Sequence, residues 1–125
     1  MKLIIDTSVW IEFSKGTPAY FSPIRELLEN QNVLAIDCIF AELLQGAKDK
    51  REREIILSYF NNLPKVEISD LYIKAGIYSS EHKLISKGIG LIDSAIIFAC
   101  HHYKTKIWTL DKKLNTALKK EEMFP

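Results

Sequence analysis

The sequence is poor in the residues that characterise disulfide-rich, disordered and membrane-spanning chains. Its 125 residues include two cysteines, five glycines and four prolines. Cys38 and Cys100 are flanked by apolar residues and stand in no CxxC or zinc-type spacing, so we expect buried, reduced thiols. No apolar run is long enough to cross a bilayer, and the short run at the N-terminus lacks the form of a signal peptide. These absences predict a cytoplasmic protein.

Charge of either sign is not in excess. The chain has 17 Lys and Arg against 16 Asp and Glu, which gives a formal net charge of +1. Hydrophobic residues make up 47% of the chain and charged residues 26%, values typical of a globular protein. A near-neutral balance neither requires nor excludes a polyanionic partner, because the placement of the basic residues matters more than their sum. Length and composition predict one domain over residues 1–125.

Short apolar runs alternate with segments of helical periodicity along the chain. The predicted strands are the run that ends at Asp6 and residues 33–36, 65–68 and 107–110. The predicted helices are residues 8–14, 18–29, 38–47, 49–62, 71–86, 91–103 and 112–120, with Asp37 and Ser69 as candidate caps. Strands that alternate with helices favour an α/β fold with a parallel sheet and right-handed crossovers.

Four acids occupy corresponding places in this scheme. Asp6 ends the first strand, Asp111 follows the last strand, Asp93 lies in the first turn of the helix from Leu91, and Glu42 lies in the helix after the second strand. In a doubly wound sheet, strand ends and the helix starts that follow them share one edge. The pattern therefore predicts that these four carboxylates converge.

Each acid also has a structural interpretation. The helix macrodipole favours Asp93 and Asp111 where they stand, and Asp111 could be a plain N-cap. Glu42 could point to water, since its helix has an apolar face without it. Asp6 is the hardest to explain in this way, because an unpaired charge at the end of a buried strand is costly unless it serves a site.

Clustered carboxylates repel one another and need protons or cations to neutralise them. Oxygen ligands without a nearby His or Cys pattern select hard divalent ions, Mg²⁺ or Mn²⁺, over zinc. Such ions activate water and stabilise the charge that builds on a phosphoryl group. The residues alone therefore indicate a phosphodiesterase.

Four blocks of the sequence resemble the motifs of PIN domains. They are Asp6-Thr7-Ser8-Val9-Trp10, Ala41-Glu42, the segment 90–99 around Asp93, and Trp108-Thr109-Leu110-Asp111. The size of the chain and the early first motif are similar to VapC-type toxins of toxin–antitoxin pairs. The resemblance implies a three-layer α/β/α sandwich with a central parallel sheet of four or five strands. It also implies a magnesium-dependent endoribonuclease that acts as the toxin of a type II pair, forms a homodimer and is held inactive by an antitoxin.

The resemblance assigns roles to individual residues. Asp6 and Asp93 match the principal metal ligands, Asp111 the acid that supports the metal or a second ion, and Glu42 the acid that completes the pocket and helps to orient the attacking water. The hydroxyls of Ser8 and Thr109 match groups that hydrogen-bond the cluster, although helix capping or strand-end polarity would explain them equally well.

Contacts with RNA and with a protein partner are predicted for a few further residues. Lys112 and Lys113 follow Asp111 directly and are candidates to bind a backbone phosphate, although charge runs are usually solvated helix faces. Val9, Trp10 and Phe13 are candidate contacts for the antitoxin, with a place in the core as the alternative.

The sequence departs from the family pattern in two places. Family members often continue into a fifth strand, whereas this sequence ends at Met123-Phe124-Pro125, so the sequence leaves the presence of that edge strand open. The loop before Asp93 carries Lys83 and Lys87 where many members look more basic.

Two alternatives from other functional classes remain open at this stage. One is a catalytically inactive domain that only binds RNA or protein. The other is a receiver-like signalling domain, although no mid-chain phospho-accepting Asp with a partner Lys is evident.

Overall fold

The protein was described from a computed structural model that covers residues 2–124. Two strands, β1 (Leu3–Ile5) and β2 (Lys106–Trp108), pair in parallel, with Leu3 opposite Lys106 and Ile5 opposite Trp108. The α-helices of the described range are α1 (Thr7–Ser14), α2 (Pro18–Glu29), α3 (Asp37–Gln45), α4 (Lys50–Asn62), α5 (Leu71–Glu81), α6 (Leu91–Tyr103) and α7 (Lys112–Thr116). The predicted alternation of strand and helix is therefore confirmed at both ends of the chain.

Three single-residue bridges extend the two-stranded sheet on both sides. They join Leu3 to Val33, Ala35 to Lys65, and Ile107 to Met123, and all three are parallel. Five segments therefore lie side by side in the order 65, 33–35, β1, β2 and 123. The expected strands 33–36 and 65–68 are reduced to bridges, and the first has no room to extend because α3 begins at Asp37.

The C-terminal segment lies beside β2, at the edge where the sequence left a fifth strand open. The Phe124 N–H donates to the carbonyl of Ile107 at 3.0 Å, next to the bridge between Ile107 and Met123. The segment therefore contributes a single bridge at this edge of the sheet and no strand within the described residues.

The core surrounds β1. All three residues of this strand are at most 1% exposed, and α6 contributes the buried side chains of Ile96 and Ile97. Helices α5 and α6 pack as a pair, and α1 contacts both α2 and α3. Cys38 and Cys100 are buried free thiols, as predicted. No helix within residues 2–124 is long and apolar enough to cross a membrane.

Two predicted helices are shorter in the structure. The helix expected to reach Ser86 ends at Glu81, where Lys83 turns the chain with φ 54° before a 3-10 turn at Ile85–Lys87. The helix expected to reach Lys120 ends at Thr116 and is followed by a second 3-10 turn at Lys120–Glu122. Helical periodicity continues through both breaks, so the sequence pattern overestimates the helix length.

Neither predicted cap, Asp37 or Ser69, caps its helix, whereas a residue that was not predicted as a cap does so at α4. Asp49 caps α4, because its Oδ1 accepts a hydrogen bond from the Glu52 N–H at 2.9 Å. Ser69 does not cap α5, whose preceding residue is Asp70 with φ 55°, and Asp37 lies inside the first turn of α3 instead of capping it. Capping depends on backbone angles at one residue, which side-chain type alone does not determine.

Candidate active site

The carboxyl ends of β1 and β2 lie next to each other. The Asp6 N–H donates to the Trp108 carbonyl at 2.9 Å, so the two strands remain paired for one residue beyond β1. Asp6 and Thr109 then follow their strands at the same edge of the sheet, and the first turns of α1 and α7 begin there. This edge is where ligands bind in open parallel α/β folds.

Asp6 is buried and held by two hydroxyl groups. The residue is only 8% exposed. Its Oδ2 accepts hydrogen bonds from Ser8 Oγ at 3.0 Å and Thr109 Oγ1 at 2.8 Å. Two hydrogen bonds to one oxygen fix the rotamer of the carboxylate. The two hydroxyl groups therefore hold the Asp6 side chain in place at the buried end of β1.

The two hydroxyls are themselves fixed by the backbone. Ser8 Oγ accepts a hydrogen bond from the Leu110 N–H at 3.1 Å, and Thr109 Oγ1 accepts one from the Asp111 N–H at 3.0 Å. Each hydroxyl consequently donates to Asp6 and accepts from the segment that follows β2. Neither caps a helix, so the capping interpretation of these residues does not hold.

Asp111 combines the two interpretations given to it from the sequence. It is the N-cap of α7, and its Oδ1 accepts from the Lys113 N–H at 2.9 Å and the Leu114 N–H at 3.4 Å. The cap uses Oδ1 alone, and the residue is half-buried. The charge of Asp111 nevertheless contributes to the raised pKa of Asp93.

Asp93 lies within the electrostatic field of the other three acids. It lies half-buried in the first turn of α6, and burial followed by the charges of Asp6, Asp111 and Glu42 raises the pKa of its carboxyl from 3.8 to about 6. Each of the other three acids therefore lies near enough to disfavour a fourth negative charge. The charges of the other three acids therefore act on Asp93, as expected for carboxylates at one edge of the sheet.

Glu42 differs from the other three acids in its surroundings. It is exposed on α3, and Oε1 accepts a hydrogen bond from Thr7 Oγ1 at 3.0 Å. The hydrogen bond joins α3 to the first residue of α1, which is adjacent to Asp6 in the chain.

The donor set fits a hard divalent cation. Within residues 2–124, none of the four acids forms an ion pair with a Lys, Arg or His side chain. Four carboxylates without a basic counter-charge, one of them with a raised pKa, are the surroundings that an oxygen-preferring ion such as Mg²⁺ neutralises. No three His, Cys, Asp or Glu side chains in the described range stand close enough to hold one ion, so the four acids would have to move closer together to bind it.

The two lysines after Asp111 lie at the surface. A Cβ atom on Gly88 would be 3.5 Å from Lys113 Nζ, so this side chain extends over the loop that leads to Asp93. Gly88 has φ +78°, a conformation that favours glycine. Lys112 is exposed, and a role in phosphate binding remains a prediction for both lysines.

An apolar groove of about 730 Å³ lies among α1 to α4. Aromatic side chains form much of its wall, and Thr7 and Glu42 are also among its lining residues. The aromatic residues of the lining are Trp10, Phe13, Phe21, Phe40 and Tyr59. Trp10 and Phe13 therefore serve both the core and the groove, whereas Val9 is fully buried and cannot contact a partner directly.

Sequence reasoning missed two polar groupings. One is the hydrogen bond from Thr7 to Glu42. The only hint of it in the sequence is that two hydroxyl residues, Thr7 and Ser8, directly follow Asp6. The other joins Tyr78, His101 and Glu122, with Tyr78 Oη 2.7 Å from His101 Nε2 and an ion pair between His101 Nδ1 and Glu122. This second grouping lies toward the opposite end of α6 from Asp93, and no sequence spacing indicates it.

Comparison with known proteins agrees with this geometry. The PIN domain model matches residues 3–119 of the sequence. The chain belongs to the PIN domain family. PIN domains are typically nucleases that use divalent metals, and membership in this family rules out the receiver-like alternative. No curated protein matches the sequence.

The PIN fold is also found in a solved toxin–antitoxin structure. The crystal structure of VapBC2 from Rickettsia felis, bound to a DNA fragment from its promoter, contains a similar chain with a TM-score of 0.67 and 19% identity. The match covers 98% of this chain and 96% of that chain. At this identity the likeness establishes a shared fold along nearly the whole length of both chains.

Proposed function

We propose that this PIN domain is a magnesium-dependent endoribonuclease, the cytoplasmic toxin of a type II toxin–antitoxin pair. The observation that carries the proposal is the buried carboxylate of Asp6, which Ser8 and Thr109 hold where β1 and β2 end side by side. Asp6, Asp111 and Glu42 also act on the charge of Asp93, and no basic side chain within residues 2–124 forms an ion pair with these four acids. Family membership and the shape shared with the VapBC2 chain support the same conclusion.

The proposed roles follow from the surroundings of each acid. Asp6 and Asp93 would hold the metal, Asp111 would support it or a second ion, and Mn²⁺ could replace Mg²⁺. A bound ion of this kind supplies a more acidic water and stabilises negative charge on a phosphodiester. Glu42, the most exposed of the four, would orient the attacking water, and Ser8 and Thr109 hold Asp6 in its rotamer.

RNA would approach along the side of α7. Lys113 extends over Gly88 toward the loop before Asp93, and Lys112 is exposed beside it. Two ammonium groups at this rim would bind backbone phosphates on either side of the cleaved bond.

The apolar groove among α1 to α4 supports an antitoxin partner. A groove with Trp10, Phe13 and Tyr59 in its wall suits the apolar face of an inserted helix or strand, which a small antitoxin could supply. Because Glu42 and Thr7 also line this groove, a segment bound there would lie against the proposed active site. We propose this groove as the antitoxin contact.

A homodimer is the second proposed assembly. Ile73 and Ile77 on α5 are 68% and 56% exposed, and Ile85 just beyond the helix is 82% exposed. Exposed aliphatic side chains favour association, and the face of α5 that carries Ile73 and Ile77, one helical turn apart, could pair with its own copy about a twofold axis.

Cleavage of a mixed RNA pool tests the proposed activity. Antitoxin-free protein should cut RNA with Mg²⁺ and not with chelator, and Asp6→Asn and Asp93→Asn should each lower the rate by at least about 100-fold. Glu81→Gln, which neutralises an exposed acid on α5, is the matched control and should retain the wild-type rate.

The same assay can reject the proposal. If folded wild-type protein binds Mg²⁺ but cuts no RNA in the pool, the inactive binding-module alternative is favoured. Cleavage that persists in Asp6→Asn would place the chemistry elsewhere.

A further inference from the structure

Thr7 makes a long-range contact that its place in the sequence does not require. Its hydroxyl donates to Glu42 Oε1 at 3.0 Å, across 35 residues of sequence, and so joins α1 to α3. In the described range, this is the side-chain hydrogen bond that holds Glu42, which forms no ion pair there.

The start of α1 uses its hydroxyls in an unusual way. Thr and Ser at a helix start commonly accept hydrogen bonds from the first free N–H groups. Here the N-cap is Asp6, which makes no side-chain cap, while Thr7 and Ser8 donate to Glu42 and Asp6 respectively. Thr7 and Ser8 thus bind two different carboxylates, and the Asp6 side chain accepts no hydrogen bond from the first N–H groups of α1.

Glu42 needs such a contact more than the other acids do. It is exposed, has three rotatable side-chain bonds, and carries a charge that acts on Asp93. Entropy and repulsion both favour rotamers that point the carboxylate away from the cluster. A hydrogen bond to a charged acceptor opposes both effects.

We propose that Thr7 is a positioning residue, whose hydroxyl holds the Glu42 carboxylate at the start of α1, next to Asp6 in the sequence. The expected effect of Thr7 on the rate of RNA cleavage rests on the nuclease function proposed above, whereas the hydrogen bond between Thr7 and Glu42 does not depend on it. Thr7 also lines the apolar groove, so the hydrogen bond lies where that groove meets the acidic cluster.

Three variants of Thr7 and Glu42 test the role. Thr7→Val removes the hydroxyl at nearly constant volume and should lower kcat about tenfold with KM changed less than about twofold. Thr7→Ser restores the hydroxyl and should stay within about threefold of the wild-type kcat. Adding Thr7→Val to Glu42→Ala should cause no further loss, because the partner is already gone.

A measurement without metal or substrate gives a second readout. In magnesium-free protein with ¹³C-labelled glutamate carboxyls, the Glu42 resonance, identified by its absence in Glu42→Ala, should shift in Thr7→Val and return in Thr7→Ser. Thr116→Val is the control, since it removes a threonine hydroxyl that donates to the Lys113 carbonyl instead.

The outcomes separate this inference from the proposed function. An unchanged kcat and an unchanged Glu42 resonance in Thr7→Val would overturn the positioning role. So would an equal loss of kcat from Thr7→Val in the Glu42→Ala background. If folded wild-type protein binds Mg²⁺ but cleaves no RNA, the nuclease proposal fails, and the carboxyl resonance still decides whether Thr7 holds Glu42.

Discussion

At the scale of single residues, Asp6 and Asp93 are two acids of the same site in opposite surroundings. Asp6 receives two hydroxyl hydrogen bonds, whereas burial and three neighbouring acids raise the pKa of Asp93 to about 6. The helix macrodipole at the start of α6 favours a negative Asp93 by only about 0.5 kcal/mol. The raised pKa shows that desolvation and repulsion outweigh it.

Removing the charge of Asp93 should therefore stabilise the protein when no divalent cation is present. The folded protein binds the proton of the Asp93 carboxyl more tightly than the unfolded chain does. Asp93 therefore lowers the free energy of unfolding as pH rises from 3.8 to about 6, and this loss of stability persists at higher pH. Allowing for the partial exposure of Asp93, Asp93→Asn should gain about 1 kcal/mol at pH 7.5, or roughly 4 °C in Tm.

Thermal unfolding in chelator measures this effect. The gain should disappear below the ordinary pKa of an aspartate, near pH 3.8, where the wild-type group is also neutral. Glu81→Gln is the control and should show no such pH-dependent gain. A lower Tm for Asp93→Asn at pH 7.5 would contradict the electrostatic description of the site.

At the scale of elements, α7 is short and depends on its cap. Asp111 binds two N–H groups of a five-residue helix while its charge also acts on Asp93. Asparagine caps a helix about as well as aspartate, but it carries no charge. The two roles of Asp111 can therefore be separated by substitution.

Asp111→Asn should preserve stability and lose activity. We expect its free energy of unfolding in chelator to fall by no more than about 0.5 kcal/mol, whereas Asp111→Ala should lose about 1 kcal/mol with the cap. Both variants should lose most magnesium-dependent cleavage. Urea unfolding and RNA cleavage measured side by side check this prediction, and full activity in Asp111→Asn would reduce the residue to a cap.

Element order was more predictable than element length. Local periodicity and apolar runs are properties of neighbouring residues, so α1, α2, α4 and α6 agree with their predicted ranges to within about two residues. Strand pairing depends on segments far apart in sequence, and the runs 33–36 and 65–68 contribute only bridges. The left-handed turn at Lys83, which ends the α5 region, left no recognisable signal in the sequence.

The candidate site was predictable because its acids follow recognisable elements. Asp6 and Asp111 stand directly after apolar strand runs, and the shared edge of parallel strands brings them together. The hydrogen bond from Thr7 to Glu42 could not be predicted, since it depends on how α1 packs against α3.

At the scale of the whole molecule, the C-terminal segment closes the sheet on the side of β2. Met123 bridges to Ile107, and Glu122, 7% exposed, pairs with His101 and accepts the Lys119 N–H at 2.7 Å. Residues after α7 thereby connect to the far end of α6. Their contribution should be to stability, since Asp93 lies about 12 Å away along that helix.

Glu122→Ala should destabilise the fold without changing the chemistry. Loss of a buried acid leaves His101 and the Lys119 N–H without their partner, at a cost of about 2–3 kcal/mol. Glu121→Ala removes an exposed neighbour and should cost less than about 0.5 kcal/mol. Urea unfolding measures both, and a loss of kcat in folded Glu122→Ala would show that this segment affects the active site.

Direct measurement of metal binding tests the central claim, that four converging carboxylates form a divalent-cation site. Titration of the purified protein with Mn²⁺, followed by electron paramagnetic resonance, should reveal saturable binding that Mg²⁺ competes away. We predict that Asp6→Asn and Asp93→Asn each weaken it at least about tenfold, and that Glu81→Gln leaves it unchanged. Equal binding by the wild type and both aspartate variants would contradict the account.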